Sequence, residues 1–140
     1  MSISRLGVGD ERRLQELCRR FKDRVPSADE AAAFLARDDI HVWVAEVEGE
    51  LAGFAYAYVL LRIDGDTSVF LYELGVDERY RRRGLGRALV DEARALGEGV
   101  GAAKMWVDTS YDNDAAKATY AAAGGRPVED PTLVYGWHFR

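Results

Sequence analysis

The chain has 140 residues, of which 48% are hydrophobic and 31% charged, which predicts one globular domain over residues 1–140 and excludes a disordered or fibrous protein. Its net charge of −5 argues against binding along a nucleic-acid backbone and favours a cationic small molecule as partner. The longest apolar run, Leu51 to Leu61, is too short to cross a membrane, and the only cysteine, Cys18, predicts neither a disulfide nor a metal site, so we expect a cytoplasmic protein.

Two helices are predicted near the N-terminus. The second begins at Ser27, which forms a capping-box pattern with Glu30. The first is indicated by apolar residues at the offsets of one helical face, namely Leu14, Leu17, Cys18 and Phe21.

An antiparallel meander follows the two helices. Segments 41–47 and 51–61 are rich in Val, Trp, Tyr and Phe and flank Glu48-Gly49, which predicts a hairpin. A third strand is predicted from Val69 to Val76 after a polar loop.

The second half of the chain alternates between helix and strand. Helical periodicity runs from Leu85 to Leu96, a short buried strand is predicted from Met105 to Asp108, and a helix from Asp114 to Ala123. Alternating residues from Leu133 to Phe139 predict a final strand. The predicted fold is α+β in the order ααβββαβαβ, with an extra short strand allowed at either end, and consists of a mixed, mostly antiparallel sheet with helices on both faces.

A cluster of arginines and glycines separates the third strand from the third helix. Glycines allow a ligand close to the backbone, arginines supply positive charge, and a helix N-terminus offers unpaired N–H groups, so this loop predicts a pyrophosphate site. Its spacing differs from that of P-loops and of dinucleotide-binding loops. The cluster consists of Arg79, Arg81, Arg82, Arg83, Gly84, Gly86 and Arg87.

Two motifs carry a resemblance to a known family. Leu74-Gly75-Val76 followed by the loop Arg81 to Gly86 resembles the strand and (Arg/Gln)-x-x-Gly-x-(Gly/Ala) loop of the GNAT superfamily of N-acetyltransferases. Asn113, Ala116 and Tyr120 match its later Asn-x-x-Ala-x-x-x-Tyr helix, in the same order and at a similar separation.

The resemblance implies acetyl-coenzyme A as the cofactor, with its pyrophosphate on the loop amides and its pantetheine arm beside the strand. The residues that it implies for coenzyme binding are Leu74, Gly75, Val76, Arg81, Arg82, Arg83, Gly84, Leu85, Gly86, Arg87, Asn113 and Ala116.

Candidate catalytic residues follow from the needs of acetyl transfer to an amine. Tyr120 matches the superfamily tyrosine that protonates the departing thiolate. Glu73 is a lone carboxylate in an apolar strand and is predicted to be the general base or an anchor for a cationic substrate. A backbone N–H near Gly75 or Val76, where the superfamily has a bulge, is expected to stabilise the oxyanion.

The acceptor is expected to be an aminoglycoside, and the protein an antibiotic-resistance enzyme. Segments 71–76, 106–114 and 135–139 are similar to aminoglycoside 3-N-acetyltransferases of the GNAT type, which carry Tyr-Asp where this chain has Tyr72-Glu73. Asp108 and Asp112, which lie in a loop expected beside the acceptor cleft, are predicted to bind a polycation.

Other functions stay open on the sequence alone. The acceptor amine could belong to a polyamine, an amino-acid derivative or a protein, and a non-catalytic acetyl-CoA-binding module would keep the loop around Gly84 without needing Tyr120 or Glu73. The aromatic C-terminal strand could also pair across a homodimer.

Overall fold

The computed structural model describes residues 1–140, which form a five-stranded sheet in the order β1-β2-β3-β4-β5. Neighbouring strands are antiparallel from β1 to β4, whereas β4 and β5 are parallel. The strands are β1 (Ser2–Leu6), β2 (Ile40–Val47), β3 (Glu50–Leu61), β4 (Thr67–Val76) and β5 (Lys104–Trp106). The helices are α1 (Glu11–Phe21), α2 (Ala28–Leu35), α3 (Leu85–Gly99) and α4 (Asp114–Ala122), with a 3-10 turn at Glu78–Tyr80.

Local signals in the sequence determine several of these boundaries. Glu48 and Gly49 both have positive φ, 52° and 79°, as a two-residue hairpin turn of type I′ requires. The predicted capping box is confirmed, since the Ser27 side chain accepts from the N–H of Glu30 while the Glu30 side chain accepts from the N–H of Ser27. None of the helices combines the length and apolar character needed to span a membrane.

The sheet buries a separate core on each face, because successive side chains of a strand point to opposite faces. The α3–α4 face is packed by both of those helices, and the α1–α2 face by the first two. Core residues of the α3–α4 face include Trp43, Ala55, Leu71, Leu85 and Leu89. Those of the α1–α2 face include Leu14, Leu17, Val42, Val44 and Phe54.

The α+β fold class is confirmed, but the element order differs at both ends. An additional strand, β1, pairs with β2. The predicted strand from Leu133 to Phe139 is wrong for this structure, since residues 124–140 are all exposed and residues 131–140 lack regular structure. Alternation favours a strand only where a neighbouring strand takes up its N–H and C=O groups, and this segment has no such neighbour in its own sheet.

Candidate active site

A gap opens between β4 and β5, and it forms the centre of the candidate site. β5 pairs with only the first part of β4, from Ser68 opposite Lys104 to Phe70 opposite Trp106. β4 continues to Val76, paired on its other side with β3. The edge of β4 beyond Phe70 is therefore open toward the gap.

Backbone groups of β4 point into this gap. The N–H of Asp77, just after β4, donates to the carbonyl of Ala52 in β3 at 2.8 Å. Since successive backbone groups of a strand point in opposite directions, the N–H groups of Leu74 and Val76 face the gap. The Val76 carbonyl lies on the same side, where it accepts from Nε of Arg81 at 3.3 Å.

A bulge interrupts β4 beside the gap. Tyr56 lies opposite Glu73 and Ala57 opposite Leu71, which leaves Tyr72 as an extra residue. Tyr72 and Glu73 consequently project toward the same face, and both contact Tyr56. The rings of Tyr72 and Tyr56 lie 5.3 Å apart between centroids, and the Tyr56 hydroxyl donates to the Glu73 carboxylate at 2.7 Å.

The position of the bulge differs from the one that the resemblance implied. It lies at Tyr72 and not at Gly75 or Val76, which keep regular pairing with β3. By the alternation described above, the N–H of Gly75 points toward β3, so only Val76 of this pair offers an N–H to the gap.

The start of α3 supplies unpaired N–H groups near the end of β4. Gly84 caps the helix with φ of 81° and makes no side-chain hydrogen bond, and the first helical hydrogen bond runs from Ala88 to the Gly84 carbonyl. The N–H groups of Leu85, Gly86 and Arg87 therefore lack partners within the protein. Such a helix N-terminus binds anions.

Uncompensated positive charge surrounds this helix start. Arg79 forms ion pairs with Asp77 and Glu50. The other arginines of the loop have no carboxylate within 4.0 Å, and all are exposed; they are Arg81, Arg82, Arg83 and Arg87. A protein of net negative charge thus carries a local concentration of unpaired arginines at this helix start.

Gly86 joins the loop to α4. A Cβ at this position would lie 3.1 Å from Cγ2 of Thr119 and 3.8 Å from Cδ2 of Leu74, so the missing side chain lets α3, α4 and β4 converge. Tyr120 follows Thr119 and packs partly buried against the α3–α4 core. The two motifs that carry the resemblance are thereby brought together.

The hydroxyl of Tyr120 is suited to donating a proton. Burial, and to a lesser extent the carboxylate of Asp108, raise the pKa of Tyr120 above its ordinary value. A tyrosine hydroxyl is protonated at neutral pH already at its ordinary pKa, and the raised pKa extends that state to higher pH.

The remaining predicted residues of this region lie at the start of α4. The side chain of Asn113 caps the helix by accepting from the N–H of Ala116 at 3.1 Å, so both residues have a structural role in α4. Asp108 and Asp112 are exposed in the loop between β5 and α4, and neither forms an ion pair.

Glu73 lies on the opposite face of the sheet from Tyr120. Its carboxylate oxygens accept from Nζ of Lys22 at 2.8 and 2.7 Å, and one also accepts from the hydroxyl of Tyr56. The sequence led us to expect a cationic substrate beside this carboxylate, whereas the cation found there is Lys22 of the chain itself, at the end of α1. Glu73 and Tyr120 are thus separated by the sheet and flank its gap.

A cavity of about 490 Å³ opens beside Glu73 on the α1–α2 face. Lys22 and Tyr56 line it together with Leu17, Cys18 and Phe34. Burial is the main cause that raises the pKa of the Cys18 thiol and the pKa of the Tyr56 hydroxyl.

Sequence reasoning missed Lys22 and Tyr56. Lys22 continues the stripe of Leu14 and Cys18 at intervals of four residues, which predicts that its ammonium lies at the edge of a buried helical face. Tyr56 gives no comparable signal, because its contact with Glu73 depends on the register of β3 against the bulged β4.

Solved structures with the same fold include three acetyltransferases. An aminoglycoside acetyltransferase from an uncultured soil metagenomic sample, in complex with sisomicin, has a TM-score of 0.81 at 22% identity and covers 99% of this chain and 95% of its own. The aminoglycoside N-acetyltransferase AAC(6')-Iy in complex with CoA has a TM-score of 0.77 at 20% identity, and the alignment covers 98% of this chain and 99% of its own. Ribosomal-protein-alanine N-acetyltransferase from Brucella melitensis biovar Abortus 2308 has a TM-score of 0.76 at 19% identity, and the alignment covers 98% of this chain and 100% of its own.

Curated relatives are more similar in sequence over part of the chain. The [Ribosomal protein bS18]-alanine N-acetyltransferase of Escherichia coli (strain K12) is 36% identical over 76 residues, which are 54% of this chain and 48% of the relative. L-2,4-diaminobutyric acid acetyltransferase of Nocardia farcinica (strain IFM 10152) is 36% identical over 85 residues, which are 59% of this chain and 42% of the relative. The chain thus spans about half the length of the curated relatives it matches.

The aminoglycoside acetyltransferases among these structures are named as 6′ enzymes or without a position, so none of them supports the 3-N position implied by the resemblance. The superfamily itself is confirmed. The model of the acetyltransferase (GNAT) family matches residues 11–124, which include the gap, the loop and Tyr120. The chain belongs to the acetyltransferase (GNAT) family, whose cofactor is acetyl-CoA.

Proposed function

We propose that this protein transfers acetyl from acetyl-CoA directly to an amine of a cationic small molecule, for which the sequence favours an aminoglycoside acetylated at the 3-N position. The observation that carries the proposal is the gap between β4 and β5, which has an anion-binding helix start at one end and Tyr120 beside it. The only cysteine, Cys18, supports a cytoplasmic location.

The chain offers a continuous surface for the coenzyme. The unpaired N–H groups of Leu85, Gly86 and Arg87 suit its pyrophosphate, with the unpaired arginines around them adding positive charge. The gap-facing N–H group of Leu74 is available to its amide-containing arm. When bound, acetyl-CoA supplies an activated acetyl thioester.

Two groups of the protein act on the reacting atoms from the gap. The N–H of Val76 faces it and is positioned to hydrogen-bond a carbonyl oxygen there. Tyr120 carries its proton at neutral pH, as a tyrosine does at its ordinary pKa, and would supply that proton to a thiolate leaving in the gap.

The acceptor approaches from the α1–α2 face, where the cavity and Glu73 lie. The Glu73 carboxylate holds the acceptor ammonium and takes up its proton, directly or through water. Before the acceptor arrives, the ammonium of Lys22 is paired with this carboxylate. The ammonium of the acceptor then takes the place of the Lys22 ammonium. Asp108 and Asp112, both exposed and outside any ion pair, attract a polycation to the gap.

A protein amine is the second candidate acceptor. The relatives named as bS18-alanine N-acetyltransferases are 36% identical over their matched segment, whereas the aminoglycoside enzymes of known structure are 20–23% identical over nearly the whole chain. Tyr72 and Trp106 add exposed aromatic surface beside Glu73 on which a peptide chain could pack.

The test is an acceptor panel that follows the release of free thiol from acetyl-CoA. Its members are sisomicin, a polyamine, diaminobutyrate and a peptide beginning with alanine, and products are located by mass spectrometry and NMR. Sisomicin as the best substrate by kcat/KM, acetylated at 3-N, supports the first proposal, whereas a preference for the peptide supports the second. Binding of acetyl-CoA without turnover of any amine would leave only a coenzyme-binding module.

A further inference from the structure

Asp77 forms the junction between β4 and the loop that leads to α3. Its N–H donates to the Ala52 carbonyl at 2.8 Å, and its own carbonyl accepts from the N–H of Tyr80 at 2.9 Å. One of its carboxylate oxygens accepts from the N–H of Arg79 at 2.9 Å and thereby caps the 3-10 turn. The backbone and the side chain of Asp77 therefore both fix the direction in which the chain leaves the sheet.

The other carboxylate oxygen of Asp77 is bound by Arg20, which lies in the last turn of α1. Nε and Nη2 of Arg20 donate to this oxygen at 3.1 and 2.9 Å, across 57 positions of sequence. The two side chains are 27% and 17% exposed, which makes this the most shielded ion pair of the chain. A shielded charge that loses its partner is left uncompensated, whereas a surface pair contributes little.

A carboxylate at this junction disfavours anion binding unless its charge is balanced. Asp77 directly precedes the loop whose arginines, from Arg81 to Arg87, have no carboxylate partner. An unbalanced negative charge there would repel an anion and would draw one of those arginines away from it. Arg79 also pairs with Asp77, but its side chain is 62% exposed and is shared with Glu50. Arg20 is therefore the main counter-charge of Asp77.

We propose that Arg20 is a positioning residue of the coenzyme site, because it balances the Asp77 carboxylate and keeps it bound to α1 rather than to the loop arginines. This inference rests on the proposed function, which puts the coenzyme pyrophosphate at the start of α3. Lys22, on the same end of α1, pairs instead with Glu73 on the acceptor side. The end of α1 thus serves the two sides of the gap through two separate ion pairs.

Titration calorimetry of the full chain with CoA tests this role. Arg20→Met should weaken CoA binding about three- to tenfold, since it leaves an uncompensated charge beside a phosphate site. Adding Asp77→Asn removes that charge but keeps an oxygen to cap the 3-10 turn, so the double variant should regain most of the wild-type affinity. A merely structural role of Arg20 predicts no such recovery. Unchanged affinity in Arg20→Met, or no recovery in the double variant, would overturn the proposal.

Arg13→Met is the matched control, because Arg13 also lies on α1 and pairs with a residue of the sheet, Glu46 on β2. It breaks a tie between α1 and the sheet without exposing a charge beside the loop, so CoA affinity should stay at the wild-type value. An equal loss of affinity in Arg13→Met and Arg20→Met would assign the effect to the packing of α1 and count against the proposal.

Gly84→Val distinguishes a failure of this inference from a failure of the proposed function. If Gly84→Val binds CoA as tightly as the wild type, the pyrophosphate lies elsewhere and both proposals fail. If Gly84→Val binds weakly while Arg20→Met binds normally, the coenzyme site stands and only the role of Arg20 is refuted.

Discussion

Nζ of Lys22 lies 2.7 and 2.8 Å from the two carboxylate oxygens of Glu73, although the two residues are 51 positions apart. The contact ties the end of α1 to the bulged part of β4, at the edge of the cavity. An ammonium group already occupies the place where the proposed mechanism puts the ammonium of the acceptor. In that mechanism Lys22 and the acceptor would compete for one carboxylate.

Removing the competing ammonium should strengthen acceptor binding. In Lys22→Met we expect KM for a cationic acceptor to fall while kcat is retained. The side chains of the pair are 40% and 29% exposed, and such pairs contribute about 0.2–1 kcal/mol, so the fall should be up to about fivefold. Steady-state kinetics test this, with Arg94→Met, which breaks an exposed pair with Asp91 on α3, as a control. A lower kcat at unchanged KM would show that Lys22 positions Glu73.

Removing the charge of Glu73 should impair the transfer itself. Glu73→Gln keeps the shape of the side chain but cannot accept a proton, so kcat should fall on the order of 10²-fold and the acidic limb of the pH–rate profile should disappear. Glu46→Gln is the matched control, since Glu46 also pairs with a basic residue, Arg13, and is 31% exposed against 29% for Glu73. Wild-type turnover in folded Glu73→Gln would remove it from the mechanism.

The state of Tyr120 should set the alkaline limb of the same profile. Burial and Asp108 raise its pKa above the ordinary value of 10.0, so the donor is lost only above that pH. Tyr120→Phe should lower kcat on the order of 10²-fold without changing coenzyme affinity.

Asp108→Asn removes a negative charge that disfavours the tyrosinate, so it should move the alkaline limb to lower pH. Asp114→Asn, on a side chain that is 93% exposed, should leave that limb in place. An alkaline limb that does not respond to Asp108→Asn would assign it to a group other than Tyr120.

Coenzyme affinity should depend on the absence of a side chain at Gly84, and this effect can be separated from the backbone strain that a substitution there causes. Gly84 and Gly65 have nearly equal positive φ, 81° and 86°, and an added Cβ would meet no atom within 4 Å at either position. Valine at either site should therefore cost a similar ~1–2 kcal/mol of unfolding free energy. Only Gly84→Val should also weaken binding, about tenfold or more, because its side chain covers the N–H groups at the start of α3. Titration calorimetry with CoA and thermal unfolding of both variants separate the effects, and equal affinities would place the pyrophosphate elsewhere.

The sequence predicted those parts of the site that local patterns specify. Gly84 and Gly86 marked the loop and the start of α3, and the spacing from Asn113 to Tyr120 marked α4. These features depend on backbone conformation and helical period within short segments, which a sequence displays directly.

The parts that escaped prediction depend on how distant segments meet. The bulge at Tyr72 is a property of the register between β3 and β4, and the pairing of Lys22 with Glu73 requires α1 to lie across the sheet. The segment from Leu133 to Phe139 has the pattern of a strand, but a pattern does not specify which neighbour completes it.

The shortness of β5 has a consequence for the dynamics of the domain. α4 contains no buried residue, and the strand before it is held to the sheet by pairing over 3 residues. Segments with so few buried contacts open by local unfolding at a low free-energy cost. A ligand lodged between β4 and β5 would bridge both sides and raise that cost. Tyr120, the proposed proton donor, would then be held rigidly only while the coenzyme is bound.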